Sequence, residues 1–161
     1  MNDENYTTSF LVEQTPEQAF HAIADPRAWW SRAIEGDTDK LGAVFYYHYQ
    51  DLHRCVLKTT EFVPGKKVCW HVLHNDFNFT EDETEWTGTD IVFEIARRGT
   101  QTEVRFEHIG LVPAYECYSV CSDAWGTYVR GSLRDLIATG EGAPNPIEEI
   151  VARVRGKARA A

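Results

Sequence analysis

A change of hydrophobic period late in the chain constrains this fold more than any other feature. From about residue 34 to Gly110, apolar and polar residues alternate, the period-two pattern of half-buried strands. After Pro113 the period lengthens. Tyr118, Cys121, Trp125, Tyr128, Val129, Leu133, Leu136 and Ile137 recur at three and four, as on one face of a helix. This predicts one long amphipathic helix over 114–139, ending near Thr139-Gly140. Gly126 and Gly131 inside it each cost about 1 kcal/mol against alanine. They either let the helix approach or bend around a sheet, or are simply tolerated.

The N-terminal part reads as a strand over Tyr6 to Glu13 followed by two short helices. Thr15-Pro16-Glu17-Gln18 has the form of a capping box, with proline at the first helical position. Ala19, Phe20 and Ile23 give that helix its apolar face, and Asp25-Pro26 ends it. Asp25 is then placed to cap a second short helix, Pro26 to Arg32, carrying Trp29 and Trp30. Strands follow at about 34–39, 43–50, 53–63, 66–74, 89–98 and 101–110, joined by short turns such as Arg98-Gly99-Thr100. The acidic and aromatic stretch 75–88 reads as a long loop. The order is strand, two short helices, six strands, long helix. It predicts an α+β fold with a curved seven-stranded antiparallel sheet around the C-terminal helix. A rod of about 10 Å cannot fill the concavity of a wide bent sheet, so large side chains or a cavity must occupy the rest.

Composition narrows the function classes. The chain has 161 residues, 43% of them hydrophobic and 25% charged, which fits one globular domain. The expected division is a domain over 1–140 and a linker with a short basic tail helix over 141–161. The net charge of −9 repels phosphate backbones, so no nucleic-acid partner is expected. No apolar run approaches a membrane span, and the acidic start lacks the pattern of a secretory signal, so a cytoplasmic location is expected. Glu81, Asp82, Glu83 and Glu85 form an acidic cluster, while Arg153, Arg155, Lys157 and Arg159 make the end basic. Ile147, Ile150, Val151 and Val154 give that tail an apolar stripe, which needs a partner in its own chain or in a homodimer. Cys55, Cys69, Cys117 and Cys121 read as buried, inert thiols. His71 and His74, at odd spacing in one strand, are expected on opposite faces, so no metal site is expected.

Several segments together resemble a known family. They are Thr15-Pro16-Glu17-Gln18-Ala19-Phe20 followed by Trp29-Trp30, and Gly42 ahead of Phe45. They continue with Glu61-Phe62-Val63-Pro64-Gly65-Lys66-Lys67-Val68-Cys69-Trp70, and with Thr102 through Leu111. Their order over about 7–140 resembles the SRPBCC superfamily, also called START or Bet v 1-like, with the helix-grip fold. Within it, the chain resembles the branch named after the activator of heat-shock protein 90 ATPase. The resemblance implies a hydrophobic pocket between sheet and helix that binds lipids, sterols, polyketides or similar molecules. Some members of the superfamily are cyclases or hydrolases, and others assist a chaperone. The resemblance sets the fold and leaves the activity open.

Alternation places Trp70, Val72, Phe93, Phe106 and His108 on the inner face of the sheet. In the strand of Phe45, Tyr47 and Tyr49 both faces are apolar and alternation does not decide between them; Phe45 and Tyr47 are counted with the inner set. Tyr118, Cys121, Trp125 and Val129 face them from the helix, and Trp30 joins from the second short helix. These twelve are the expected pocket. Its predicted occupant is a small, largely hydrophobic molecule, with no cofactor. Two alternatives stand beside it. One is a cyclase- or hydrolase-like enzyme in which His108 and a pocket tyrosine act as acid and base. The other, by family analogy, is a protein-interaction module with a chaperone partner.

Overall fold

The computed structural model describes residues 5–49, 53–77, 81 and 85–145. The predicted tail helix and its apolar stripe lie outside these residues. Strand β1 (Tyr6–Val12) is followed by helix α1 (Pro16–Ile23) and a single 3-10 turn, Pro26–Ala28. The capping box forms as its sequence requires: the Gln18 amide donates to Thr15 Oγ1, and the Thr15 amide donates to Gln18 Oε1. The second short helix is reduced to that one turn, and the Asp25 side chain makes no capping hydrogen bond.

Strands β2 (Val44–Tyr49), β3 (His53–Val63), β4 (Lys67–Phe77), β5 (Asp90–Arg98) and β6 (Gln101–Ile109) then form an antiparallel meander. β1 pairs with β6, so the order across the sheet is β1-β6-β5-β4-β3-β2. The sheet therefore has six strands among the described residues, where the sequence predicted seven. The expected strand over 34–39 makes only one bridge, Glu35 to Tyr46. Gly36 turns the chain there at a φ of 102°. The Arg27 guanidinium also takes up the carbonyls of Ile34 and Gly36, which a ladder would otherwise use.

Two irregularities bend the sheet. The β3–β4 pairing skips a residue at Leu73 and another at Thr60. Such bulges kink a strand and increase its twist. The first also corrects an expectation from spacing. Beyond Leu73 the alternation changes phase, so His74 returns to the outer face that carries His71, and Asn75 and Phe77 turn inward. β4 runs on to Phe77, which removes the first three residues from the predicted loop.

The C-terminal helix begins at Tyr118 rather than 114 and continues to Thr139. It starts as α2 (Tyr118–Trp125), widens to a π-helical stretch (Gly126–Leu133) and closes as α3 (Arg134–Thr139). Gly126 and Gly131 both lie in the wide stretch. The buried residues Cys117, Cys121, Trp125, Val129, Leu133 and Ile137 recur at every fourth position. An α-helix of 3.6 residues per turn overshoots by about 40° at each such step. A wider turn lags instead, so the π-helical stretch keeps this row aimed at the sheet. Gly140, at a φ of 88°, ends the helix in the left-handed conformation that glycine allows.

Candidate ligand pocket

The concave face is mostly filled. Trp29, Trp30 and Trp70 lie nearly parallel, with centroids 5.9–6.3 Å apart and interplanar angles of 11–20°. Phe45, Phe93 and Phe106 are fully buried beside them. Among the described residues, a space is left at the end of the sheet where β2 meets β3. It is a cavity of about 430 Å³ lined by Trp30, Tyr47, Tyr49, His53, Phe77, Trp86, Val120, Cys121, Ala124, Trp125 and Tyr128. Its floor is aromatic and buried. Its rim carries half-buried Tyr49, Ala124 and Tyr128, and Val120 at 60% exposure.

Of the twelve predicted residues, the structure brings Trp30, Tyr47, Cys121 and Trp125 to this cavity. Phe45, Trp70, Val72, Phe93, Phe106 and Val129 point to the correct face but are packed into the solid part of the core. Tyr118 packs against the core edge, away from the cavity lining. His108 is fully buried behind the cavity wall.

The wall depends on Trp86, which falls within the stretch 75–88 that the sequence predicts as a loop. Its ring stacks on Trp125 with centroids 5.6 Å apart at 12°. Its edge contacts fall on His53 at 4.6 Å and on His108 at 4.7 Å. The adjoining Glu85 is buried, and its carboxylate accepts from the Cys117 amide at 3.1 Å and the Glu116 amide at 2.8 Å. The two amides belong to the N-cap of α2 and the residue before it, so a carboxylate from a distant loop anchors the start of the helix. That anchor explains why the helix begins at Tyr118, and it holds Trp86 against the helix.

Hydrogen bonds fix the state of His108. Trp125 Nε1–H donates to His108 Nδ1 at 3.1 Å, so Nδ1 carries no proton. Thr89 Oγ1–H donates to the Trp86 carbonyl at 2.6 Å, so its oxygen accepts from His108 Nε2–H at 2.8 Å. Both ring nitrogens are engaged, and neither is free to take a proton from a ligand. Burial lowers this imidazole to about 3, and nearby His53 adds to the effect.

His53, also missed in the sequence, lines the cavity itself. Its Nε2 lies 2.5 Å from Asn75 Oδ1 and donates to it, which leaves Nδ1 as an acceptor. Burial lowers His53 to about 3 as well, so the cavity carries no cation at neutral pH from this ring. Burial and the neighbouring Tyr128 hold the Tyr47 phenol well above its usual value. The thiols are free and buried, and contact with Cys117 together with burial pushes Cys121 upward. The cavity thus offers neutral donors and acceptors on an apolar surface. Such a surface suits binding better than proton transfer.

The chain after the helix returns to this site. The Asn145 amide donates to the Trp30 carbonyl at 3.0 Å, and the Arg32 amide donates to the Asn145 carbonyl at 3.1 Å. Asn145 Nδ2 donates to the Tyr128 hydroxyl at 2.6 Å. The segment 141–145 therefore straps Trp30 to the helix.

A bent antiparallel sheet closed over a long C-terminal helix, with two short helical segments after the first strand, is the helix-grip fold of the SRPBCC (START/Bet v 1-like) superfamily. Among proteins of known structure, the chain is similar to Aha1 of Colwellia psychrerythraea, which was solved as a dimer in solution. The two share 25% identity at a TM-score of 0.69, over 86% of this chain and 99% of that one. CalU16 of Micromonospora echinospora matches at a TM-score of 0.61 and 12% identity, over 97% and 86%. DynU16, from the dynemicin biosynthetic locus, matches at 0.62 and 13%, over 87% of this chain and 49% of that one. No family model matches the chain, and no curated protein matches it. Among the described residues, no helix is long and apolar enough to cross a membrane.

Proposed function

We propose that this protein binds a small, largely hydrophobic molecule in the cavity at the β2–β3 end of the sheet. The observation that carries the reading is the aromatic cavity of about 430 Å³, a volume suited to one small organic ligand. Trp30, Trp86 and Trp125 offer apolar area, and His53 Nδ1 supplies an acceptor for a ligand hydroxyl. Native mass spectrometry of the full chain against neutral sterol, fatty-acid and polycyclic aromatic panels tests it. A 1:1 complex is expected with at least one panel. Ala124→Trp, which fills the cavity from the rim, should abolish the complex. A chain that takes up none of the three panels overturns the proposal.

A second reading is association with another protein, which the likeness to the Aha1 dimer favours. The outer face of β2 supports it with exposed Val44 and Tyr46, near exposed Leu73. Association with a second copy would show in sedimentation as a mass that rises with concentration and falls on Tyr46→Glu. Chaperone binding follows from family analogy, and a pull-down with purified heat-shock protein 90 tests it.

A further inference from the structure

Two properties of the cavity together restrict its guest. Eight of its eleven lining residues carry aromatic rings, His53 included. Among the described residues, no lysine, arginine, aspartate or glutamate lines it. A ligand there leaves water and meets flat, apolar rings with no fixed charge. An unpaired carboxylate bears the full cost of desolvation in such a place, whereas a planar neutral molecule gains ring contacts.

One polar atom of the lining stays open. His53 is 8% exposed, and its Nε2–H donates to Asn75 Oδ1 at 2.5 Å. Asn75 is itself fully buried, and its backbone amide donates to Thr87 Oγ1 at 3.0 Å, which ties it to the turn beside Trp86. The proton on Nε2 leaves Nδ1 as a bare acceptor, with no hydrogen-bond partner among the described residues. Three rings clamp the imidazole and keep its two nitrogens from exchanging places. Phe77 lies at 4.4 Å and 39°, Trp86 at 4.6 Å and 87°, and Tyr47 at 5.2 Å and 72°. Two hydroxyls of the lining are already engaged. That of Tyr128 accepts from Asn145 Nδ2 at 2.6 Å, and that of Tyr47 lies beside Tyr128 and the Trp30 indole. Burial lowers His53 to about 3, so the ring accepts a hydrogen bond without taking the proton. Among neutral O–H groups a phenol is a stronger donor than an alcohol, and it brings a flat ring with it.

We propose that this cavity selects neutral, planar phenols of a few fused rings, whose hydroxyl donates to His53 Nδ1, and rejects carboxylates of the same shape. The proposal rests on the reading of the cavity as a ligand site and names the class of ligand it takes. His53 is then the residue that sets specificity, and Asn75 the residue that positions it by holding the proton on Nε2.

Equilibrium dialysis of the full chain at pH 7 against 2-naphthol, its methyl ether and 2-naphthoate tests it. Naphthol, neutral at this pH, is expected to bind at least ~10-fold tighter than the ether, which cannot donate, and at least ~100-fold tighter than the ionised naphthoate. His53→Phe keeps a ring and removes the acceptor. It should bring naphthol to within about twofold of the ether and leave the ether unmoved. Nitrogen NMR of the histidine-labelled chain does not depend on how that variant folds. Bound naphthol should move the His53 Nδ1 resonance, and bound ether should not. Equal affinity for naphthol and ether, naphthoate held as tightly as naphthol, an Nδ1 resonance that bound naphthol leaves in place, or a naphthol preference that survives His53→Phe overturns the proposal. In each of these cases the cavity still holds a ligand, so the reading beneath it stands. A chain that binds none of the three probes also overturns the proposal, and the native mass panels then decide the reading itself.

Discussion

His108 illustrates how far a single residue can be read from sequence. Its alternation with Val104 and Phe106 placed it inside, and it is inside. Its task was not legible, because that depends on Trp125 and Thr89, which come from other elements. Trp125→Phe removes the donor to Nδ1 and leaves a buried acceptor unpaired. The expected cost is about 1–3 kcal/mol of stability, read as a lower urea midpoint. The two buried histidines also predict acid sensitivity. Above pH 6.5 both are neutral, folded or unfolded. As pH falls below that value the unfolded chain gains protons that the folded chain refuses until near pH 3. Stability should therefore fall between about pH 6.5 and 3, by up to about 1.4 kcal/mol per pH unit per histidine. Urea titrations across this window check the slope, and His53→Gln should reduce it by about half. Trp86 carried no usable sequence signal, since an isolated tryptophan in an acidic, aperiodic stretch looks like any loop residue.

At the scale of elements, the sequence showed most of the strands and both signals at α1. The elements it misplaced are those decided by side chains from elsewhere. Arg27 dissolves the expected strand over 34–39, and Glu85 resets the start of the long helix. Glu85→Ala should expose both effects of that anchor. It frees two amides at the α2 terminus, at an expected cost of about 1–3 kcal/mol, and it releases Trp86 from the cavity wall. Thermal denaturation reads the first effect and tryptophan emission the second. The strap after α3 is equally specific. A Cβ on Gly142 would lie 2.3 Å from the Ala28 carbonyl oxygen, which is rigid backbone. Gly142→Ala should therefore displace the strap and weaken the hold on Trp30, at about 1–3 kcal/mol. Faster hydrogen exchange at the Asn145 amide would register that change.

For the whole molecule, the change of period was enough to give an antiparallel meander packed on one long helix, and the helix-grip fold followed from the family resemblance. The size and position of the cavity were beyond that argument. Alternation assigns a face and says nothing of depth, so residues in the filled part and residues at the open end looked alike. The bulges that bend the sheet are also silent in the period-two pattern until the ladder is seen. A ligand that binds only the folded chain should raise its stability by about 2.7 kcal/mol at a hundredfold excess over Kd. A thermal-shift series with any molecule retained in the native mass experiment reads this.

All five tryptophans of the chain, Trp29, Trp30, Trp70, Trp86 and Trp125, belong to one continuous network of ring contacts. Three of them border the cavity. Excitation absorbed anywhere in the network can therefore migrate to its cavity end. The protein carries a built-in optical gauge, and a light-absorbing guest in that space would dim the emission of the entire set.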